Sequence, residues 1–359
     1  MADSGGPAKV VETSSSGERR LGFLPRMSIG RVAGALGGLI EVFIYLAVTN
    51  DLFLTWGNVM NVFRAQSVIF ILAIGMTFVI LTGGLDLSVA SAAGFAGMIL
   101  GLCFKAGLTP VPAIIVCIIS GILLGLLNGV LIGMVRISPF VVTLGTMSIY
   151  TSVILVVTHG STVSLFNYPK FNPIQTLANG DVGPFPIILL VILALYLIAW
   201  FVLHRTAFGR AVYAVGSNPE AARLNGLNVP VTLLLVYSVA GLTYALGAIQ
   251  QDGRLTAAVP IVDPNQMLAV IAAVLIGGMS MRGGEGGLLG SFIGVLFLGV
   301  IQNGLTLKGV SAFWQGTVTG LILIVAVGLA VVQETGAIHR IRRRRPGKRK
   351  TKNIGVSAD

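Results

Sequence analysis

Charge is scarce along most of this chain. Only 10% of its 359 residues are charged, 55% are apolar and the mean hydropathy is +0.90. Soluble domains carry about 25% charged residues, so the chain has too little polar surface to face water on all sides. Cysteine is nearly absent. Cys103 and Cys117 both lie in apolar stretches without a CxxC or a neighbouring histidine, which speaks against a disulfide framework or a cysteine-based metal centre. The three histidines, His159, His204 and His339, are far apart and belong to no HExxH motif, and no GxSxG occurs; the familiar hydrolase sites are missing. No G-x-x-x-x-G-K-[ST] occurs either. A chain without that loop lacks the usual cradle for ATP phosphates, and no cofactor or metal is expected on it.

What is present is apolar sequence broken at regular intervals. A helix satisfies its own backbone in hydrocarbon and needs about 20 residues to cross it. Ten spans are predicted, near 32–50, 66–83, 88–106, 111–135, 139–158, 185–203, 231–251, 266–281, 286–305 and 314–332, and Pro110, Pro139, Pro184, Pro230 and Pro264 fall at or beyond their ends. The expectation is an all-α polytopic bundle. It divides into a basic tail over 1–31, a transmembrane domain over 32–333 and a second basic tail over 334–359. No cleavable signal precedes the first span, which is expected to stay as an anchor.

The net charge of +11 raises the question of nucleic acid, and its location answers it. Fourteen of the 24 basic residues lie in the two tails, where cations orient spans and hold anionic membrane lipids. A nucleic-acid partner is not expected. With both termini inside, alternate sides of the ten-span map receive 19 and five basic residues. That asymmetry predicts a cytoplasmic N-terminus, a cytoplasmic C-terminus and an outer loop over 159–184.

Glycines at four-residue spacing, Gly121, Gly125, Gly129 and Gly133, and later Gly286, Gly290 and Gly294, predict close helix packing. Two Gly-Gly breaks, at Gly83-Gly84 and Gly277-Gly278, predict broken helices of the kind that line solute sites. Charged residues inside spans are costly, which singles out Glu41, read as a contact to another helix or a functional group, and Asp86, read as a cap on the following helix or part of a gate. Ser88, Asn128, Thr143 and Asn303 are candidate hydrogen-bonding groups along a solute path, with Phe140 as an apolar wall. The longest inner polar segment, 205–230, is expected to hold one short helix, capped by Ser217 or Asn218, begun by Pro219 and closed by Gly226.

That loop carries a resemblance. FGR-x-x-YA-x-G-x-NPEAARLNGL, from Phe208 to Leu227, resembles the EAA coupling loop of ATP-binding cassette (ABC) importer permeases. The chain is similar more narrowly to the ribose, xylose and arabinose type, which also includes autoinducer importers, within the branched-chain amino acid permease superfamily. The likeness runs through GMTFVILTGGLDLSVAS from Gly75, NGVLIG from Asn128, PFVVTLGTMSIY from Pro139, IAAVLIGGMSMRGGEG from Ile271 and NGLTLKGVSAFWQ from Asn303. It implies a type II importer permease in the bacterial inner membrane, importing a small polar solute, with a monosaccharide first and a branched-chain amino acid or nucleoside as the alternative. A stand-alone secondary transporter is the weaker alternative. The resemblance also implies that the protein is no enzyme itself. Its implied partners are a cytoplasmic ATP-binding subunit contacted through Glu220, Ala221, Ala222 and Gly226, a periplasmic solute-binding protein, and a second permease copy or paralogue. One departure stands out: Met267-Leu268-Ala269 replaces the Glu-Leu-Asp run usual in such permeases.

Overall fold

The computed structural model describes residues 29–261 and 263–334; the two basic tails fall outside them except for their innermost residues. The described residues form thirteen α-helices: α1 (Ile29–Thr49), α2 (Trp56–Leu81), α3 (Val89–Lys105), α4 (Pro110–Gly133), α5 (Pro139–Thr158), α6 (Asn172–Asn179), α7 (Ile187–Arg205), α8 (Ala207–Ser217), α9 (Pro219–Leu224), α10 (Val229–Leu255), α11 (Pro264–Ile276), α12 (Leu288–Leu307) and α13 (Ala312–Glu334). Two short antiparallel ribbons, β1 (Val163–Ser164) with β4 (Ala257–Ala258) and β2 (Asp181–Val182) with β3 (Phe185–Pro186), tie loops together at one end. Seven helices are long and apolar enough to cross a membrane, and three shorter apolar helices lie in Val89–Lys105, Pro264–Ile276 and Phe313–Val325. These ten match the ten predicted spans. The all-α polytopic bundle is therefore the fold that forms.

Boundaries follow the local chemistry. Proline occupies the first helical turn of α4, α5, α9, α10 and α11, where its missing N–H costs nothing. At the end of α2, Gly83 has φ +76 and donates to the Ile80 carbonyl while Gly84 donates to Val79. This double closure needs a residue tolerant of the left-handed region, which glycine is.

Several expectations need correction. α2 begins at Trp56 rather than 66, because Asn58, Asn61 and Arg64 lower the hydropathy of its first turns without breaking the helix. α11 ends at Ile276, not 281, since Gly277 and Gly278 stop it. Its 13 residues reach only about 20 Å, short of a ~30 Å hydrocarbon core, and the buried segment Gly277–Ser280 continues it inside the bundle. The 205–230 loop holds two helices, α8 and α9, rather than one.

α2 and α10 lie at the centre, where Phe70, Phe78, Tyr237 and Tyr244 are among the largest fully buried side chains. α4 runs antiparallel along α10 on its glycine face. A methyl group added at Gly121, Gly125, Gly129 or Gly133 would come within 2.1–2.8 Å of α10 atoms, closer than van der Waals contact allows. α11 and α12 meet the same way through Gly277, Gly290 and Gly294. Gly286 does not belong to that face: it precedes α12, has φ +114 and packs on Met279.

Candidate functional site: a coupling helix, a buried carboxylate and an amide-lined cavity

α9 is built as a capped, self-contained knob. The Asn218 side chain accepts from the Ala221 N–H at 2.9 Å, and Gly226, at φ +82, donates to Arg223 while Leu227 donates to Ala222. Glu220 and Arg223 form an exposed pair at 2.7 Å. The Arg223 guanidinium, by hydrogen bond and charge, holds the Glu220 carboxyl below the usual carboxylate range. Ala221 faces outward and Leu224 is 75% exposed, whereas Ala222 is buried against the chain. The two alanines therefore do not share one outer surface; Ala221 and Leu224 present it. Around Gly226 there is open space within 4 Å, so a bulky substitution there would strain the backbone rather than fill a packed turn.

α8 is the element that sequence patterning did not resolve. Its last turn is buried, and a methyl at Gly216 would lie 1.8 Å from the Leu81 carbonyl oxygen and 2.6 Å from the Gly284 nitrogen. The Gly284 N–H itself donates to the Leu81 carbonyl at 2.8 Å. The two helix breaks, remote in sequence, thus meet each other at the end of α8, directly beside α9.

Beyond this junction lies Asp86, with no exposed surface. One carboxylate oxygen accepts from the Ser88 N–H at 2.8 Å and its hydroxyl at 2.6 Å; the other accepts from the Tyr244 hydroxyl at 2.6 Å. The Asn128 amide donates to Ser88 at 2.9 Å, and Tyr150 donates to Asn128 at 3.3 Å. Thr143 donates to the Leu85 carbonyl at 3.2 Å. Asp86 thus closes a turn two residues long and clamps α10, rather than capping the first N–H groups inside α3. Asp86, Ser88, Asn128 and Thr143 come together around the break. Phe140 and Asn303 stand apart from them: Phe140 is 55% exposed, and Asn303 pairs reciprocally with Asn58 at 2.8 and 3.0 Å. Glu41 is exposed on α1, and no hydrogen bond or ion pair joins it to another helix among the described residues.

The largest polar cavity among those described lies at the opposite end of α10 from α9. It measures about 390 Å³ and is lined by Gln251 of α10, Asn265 and Gln266 of α11, Gln302 of α12 and Gln315 and Thr319 of α13, with Arg254 and Asp263 also on its wall. Gln266 donates to Gln251 at 2.9 Å and Gln66 to Gln302 at 2.8 Å, while the Gln266 oxygen has no partner. Ala269, one of the positions where carboxylates were missing from the sequence pattern, lines the same cavity. None of these amides was singled out from sequence. They come from near the ends of four helices, and each reads alone as an ordinary flank. Asp252 was also missed; it is buried opposite Gly97 with one oxygen unpartnered. Among the described residues no cluster of three His, Cys, Asp or Glu could hold a metal.

A polytopic helical bundle with a capped loop helix at one end and a polar cavity at the other defines a membrane permease. The chain belongs to the family described as branched-chain amino acid transport system / permease component, whose model matches residues 58–327. It is 38% identical to the ribose import permease protein RbsC of Bacillus subtilis over 82% of this chain and 91% of that protein. It is 34% identical to the D-allose transport system permease protein AlsC of Escherichia coli (81% and 88% covered) and 33% identical to the galactose/methyl galactoside import permease protein MglC of Haemophilus influenzae (77% and 87% covered). No solved structure matches the chain. The protein is a multi-pass inner-membrane permease subunit and not itself an enzyme.

Proposed function

We propose that this chain is the membrane-spanning subunit of an ATP-driven importer for a neutral monosaccharide. The observation that carries the choice of solute is the amide-lined cavity. A polyol offers both donors and acceptors, and Gln and Asn side chains return both without charge. Amides bind at moderate strength, as a transported solute requires. The similar permeases named for ribose, allose and galactose support the same choice over an amino acid.

The capped helix α9, with Ala221 and Leu224 outward, supports docking of a cytoplasmic ATP-binding subunit, and the cavity at the far end supports delivery by a periplasmic solute-binding protein. Glu41 supports a second permease subunit. A carboxylate exposed midway along an apolar helix costs roughly 2.5–3.5 kcal/mol in lipid on insertion scales, a cost that a neighbouring subunit could remove.

The deciding experiment is uptake by proteoliposomes holding the complete importer, supplied with ribose, galactose, allose or leucine in turn. ATP-dependent entry of one sugar, reduced about tenfold by Gln266→Leu, is expected. Entry of leucine alone would reject the reading. Orientation is tested separately. In a background lacking Cys103 and Cys117, Asn167→Cys should react with an impermeant thiol reagent in intact cells, and Asn225→Cys should react only after permeabilisation. The reverse pattern would invert the topology.

A further inference from the structure

The amide-lined cavity changes character toward its opening. Of the fourteen described residues that line it, Arg254 and Asp263 alone are charged. Both are exposed, whereas Gln251, Gln266, Gln302 and Gln315 are half-buried and Thr319 is buried. The two charges therefore stand toward the mouth, with the amides deeper.

Neither charge is spent on the other, since no ion pair joins Arg254 or Asp263 to any described residue. Each is fixed instead by one bond to the backbone. Arg254, in the last turn of α10, donates from Nη1 to the Ala65 carbonyl of α2 at 3.1 Å. Oδ1 of Asp263 accepts from the Asn265 N–H at 2.9 Å and caps α11. The rest of the guanidinium and the Oδ2 oxygen have no partner among the described residues. The fold does not need both charges for these bonds, because a neutral asparagine caps a helix as well as an aspartate does.

These two groups differ from the amides in one respect. An amide donates and accepts, so Gln251 or Gln315 can meet a hydroxyl whichever way it points. A guanidinium only donates, and an ionised carboxylate only accepts. Asp263 thus requires a hydroxyl, whereas Arg254 can also meet a ring oxygen, which has no proton to give. Hydrogen bonds to charged groups are also the stronger ones. We propose that Arg254 and Asp263 determine which sugar the permease accepts, with Asp263 accepting from one hydroxyl or a neighbouring pair and Arg254 donating to the ring oxygen. The inference rests on the reading of this cavity as the sugar site. A site built to bond a hydroxyl rejects the analogue that lacks it, because the group made to meet it is left unpaired.

The test uses proteoliposomes holding the complete importer. Uptake of the transported sugar is compared with that of its monodeoxy derivatives and of the analogue whose ring oxygen is replaced by a methylene. The solute-binding protein is the same throughout, so a change in the ratio of kcat/KM between sugar and analogue reports on the permease. In the unaltered importer the derivative lacking the hydroxyl that Asp263 meets should enter about tenfold less well than the sugar. In Asp263→Asn the sugar should fall toward that derivative, and the ratio should shrink to about twofold. Arg254→Gln should do the same for the ring-methylene analogue, with Arg254→Lys restoring part of the preference. Asparagine still caps α11 and Arg254 is exposed, so each variant should fold. A purely structural role would lower the uptake of sugar and analogues by one common factor. Ratios unchanged in both Asp263→Asn and Arg254→Gln, with or without such a common loss, would overturn this inference and leave the sugar reading standing. Absence of any sugar uptake by the unaltered importer would overturn that reading, and this inference with it.

Discussion

Gly216→Ala is expected to abolish uptake and reduce the yield of folded protein, although it adds a single methyl group. That methyl would fall 1.8 Å from the Leu81 carbonyl oxygen and 2.6 Å from the Gly284 nitrogen. Both obstacles are backbone, so no side-chain rotation relieves them. Overpacking of a tight core costs about 1–3 kcal/mol and occasionally more, and here the displaced atoms are the two helix breaks themselves. Gly226→Ala is the control. It lies ten residues on, with nothing within 4 Å of the added methyl, and its φ of +82 should cost only about 1–2 kcal/mol of left-handed strain. Size-exclusion profiles of solubilised protein separate the two variants, with uptake read for Gly216→Ala alone. Normal elution and uptake by Gly216→Ala would show that α8 does not pack on the breaks.

The second large effect is expected at Asp86. Asp86→Ala strips the acceptor from the Ser88 N–H, the Ser88 hydroxyl and the Tyr244 hydroxyl, buried donors that each cost about 1–3 kcal/mol when unpaired. A loss on the order of 3–5 kcal/mol follows, enough to unfold a marginal protein. Asp86→Asn keeps an acceptor for Ser88 and can donate to the Tyr244 oxygen, so it should remain folded and retain most uptake. Thermal unfolding of purified variants measures the first effect and uptake the second. An Asp86→Asn protein that is stable but inactive would move Asp86 from a structural clamp to a group whose charge acts in transport.

The parts of the molecule that show in sequence are those where cause and effect lie close together. Proline at the start of α5 or α11 and the paired glycines after α2 are local signals, and they place those ends correctly or nearly so, whereas the expected span 266–281 runs past the glycine pair that ends α11 at Ile276. α2 shows the limit of hydropathy, which responds to Asn58, Asn61 and Arg64 although the backbone stays helical through all three. α8 was hidden for another reason. It has an apolar face, with Val212, Tyr213 and Val215 buried, but its 11 residues lie in the polar 205–230 segment, where hydropathy alone marks no separate helix. The α9 helix was legible because its cap, proline and closing glycine lie within nine residues, from Asn218 to Gly226. The amide cavity was not, because Gln251, Gln266, Gln302 and Gln315 come from four helices and only the fold brings them together. Asp86 stood out as a lone carboxylate, while its partner Tyr244 lies 158 residues away.

The glycine seam between α4 and α10 has a mechanical consequence. α10 starts three residues after Gly226, at Val229, and runs for 27 residues, a rod of about 40 Å with α9 at one end and Gln251 near the other. Gly121, Gly125, Gly129 and Gly133 bring its neighbour to within backbone contact, so sliding of one helix past the other meets backbone atoms and a joint tilt is the easier motion. A tilt of about 5° in a rod of that length moves the far tip by roughly 3.5 Å. The Gln266–Gln251 hydrogen bond, 2.9 Å long, joins that tip to α11 like a latch, and a displacement of this size would release it.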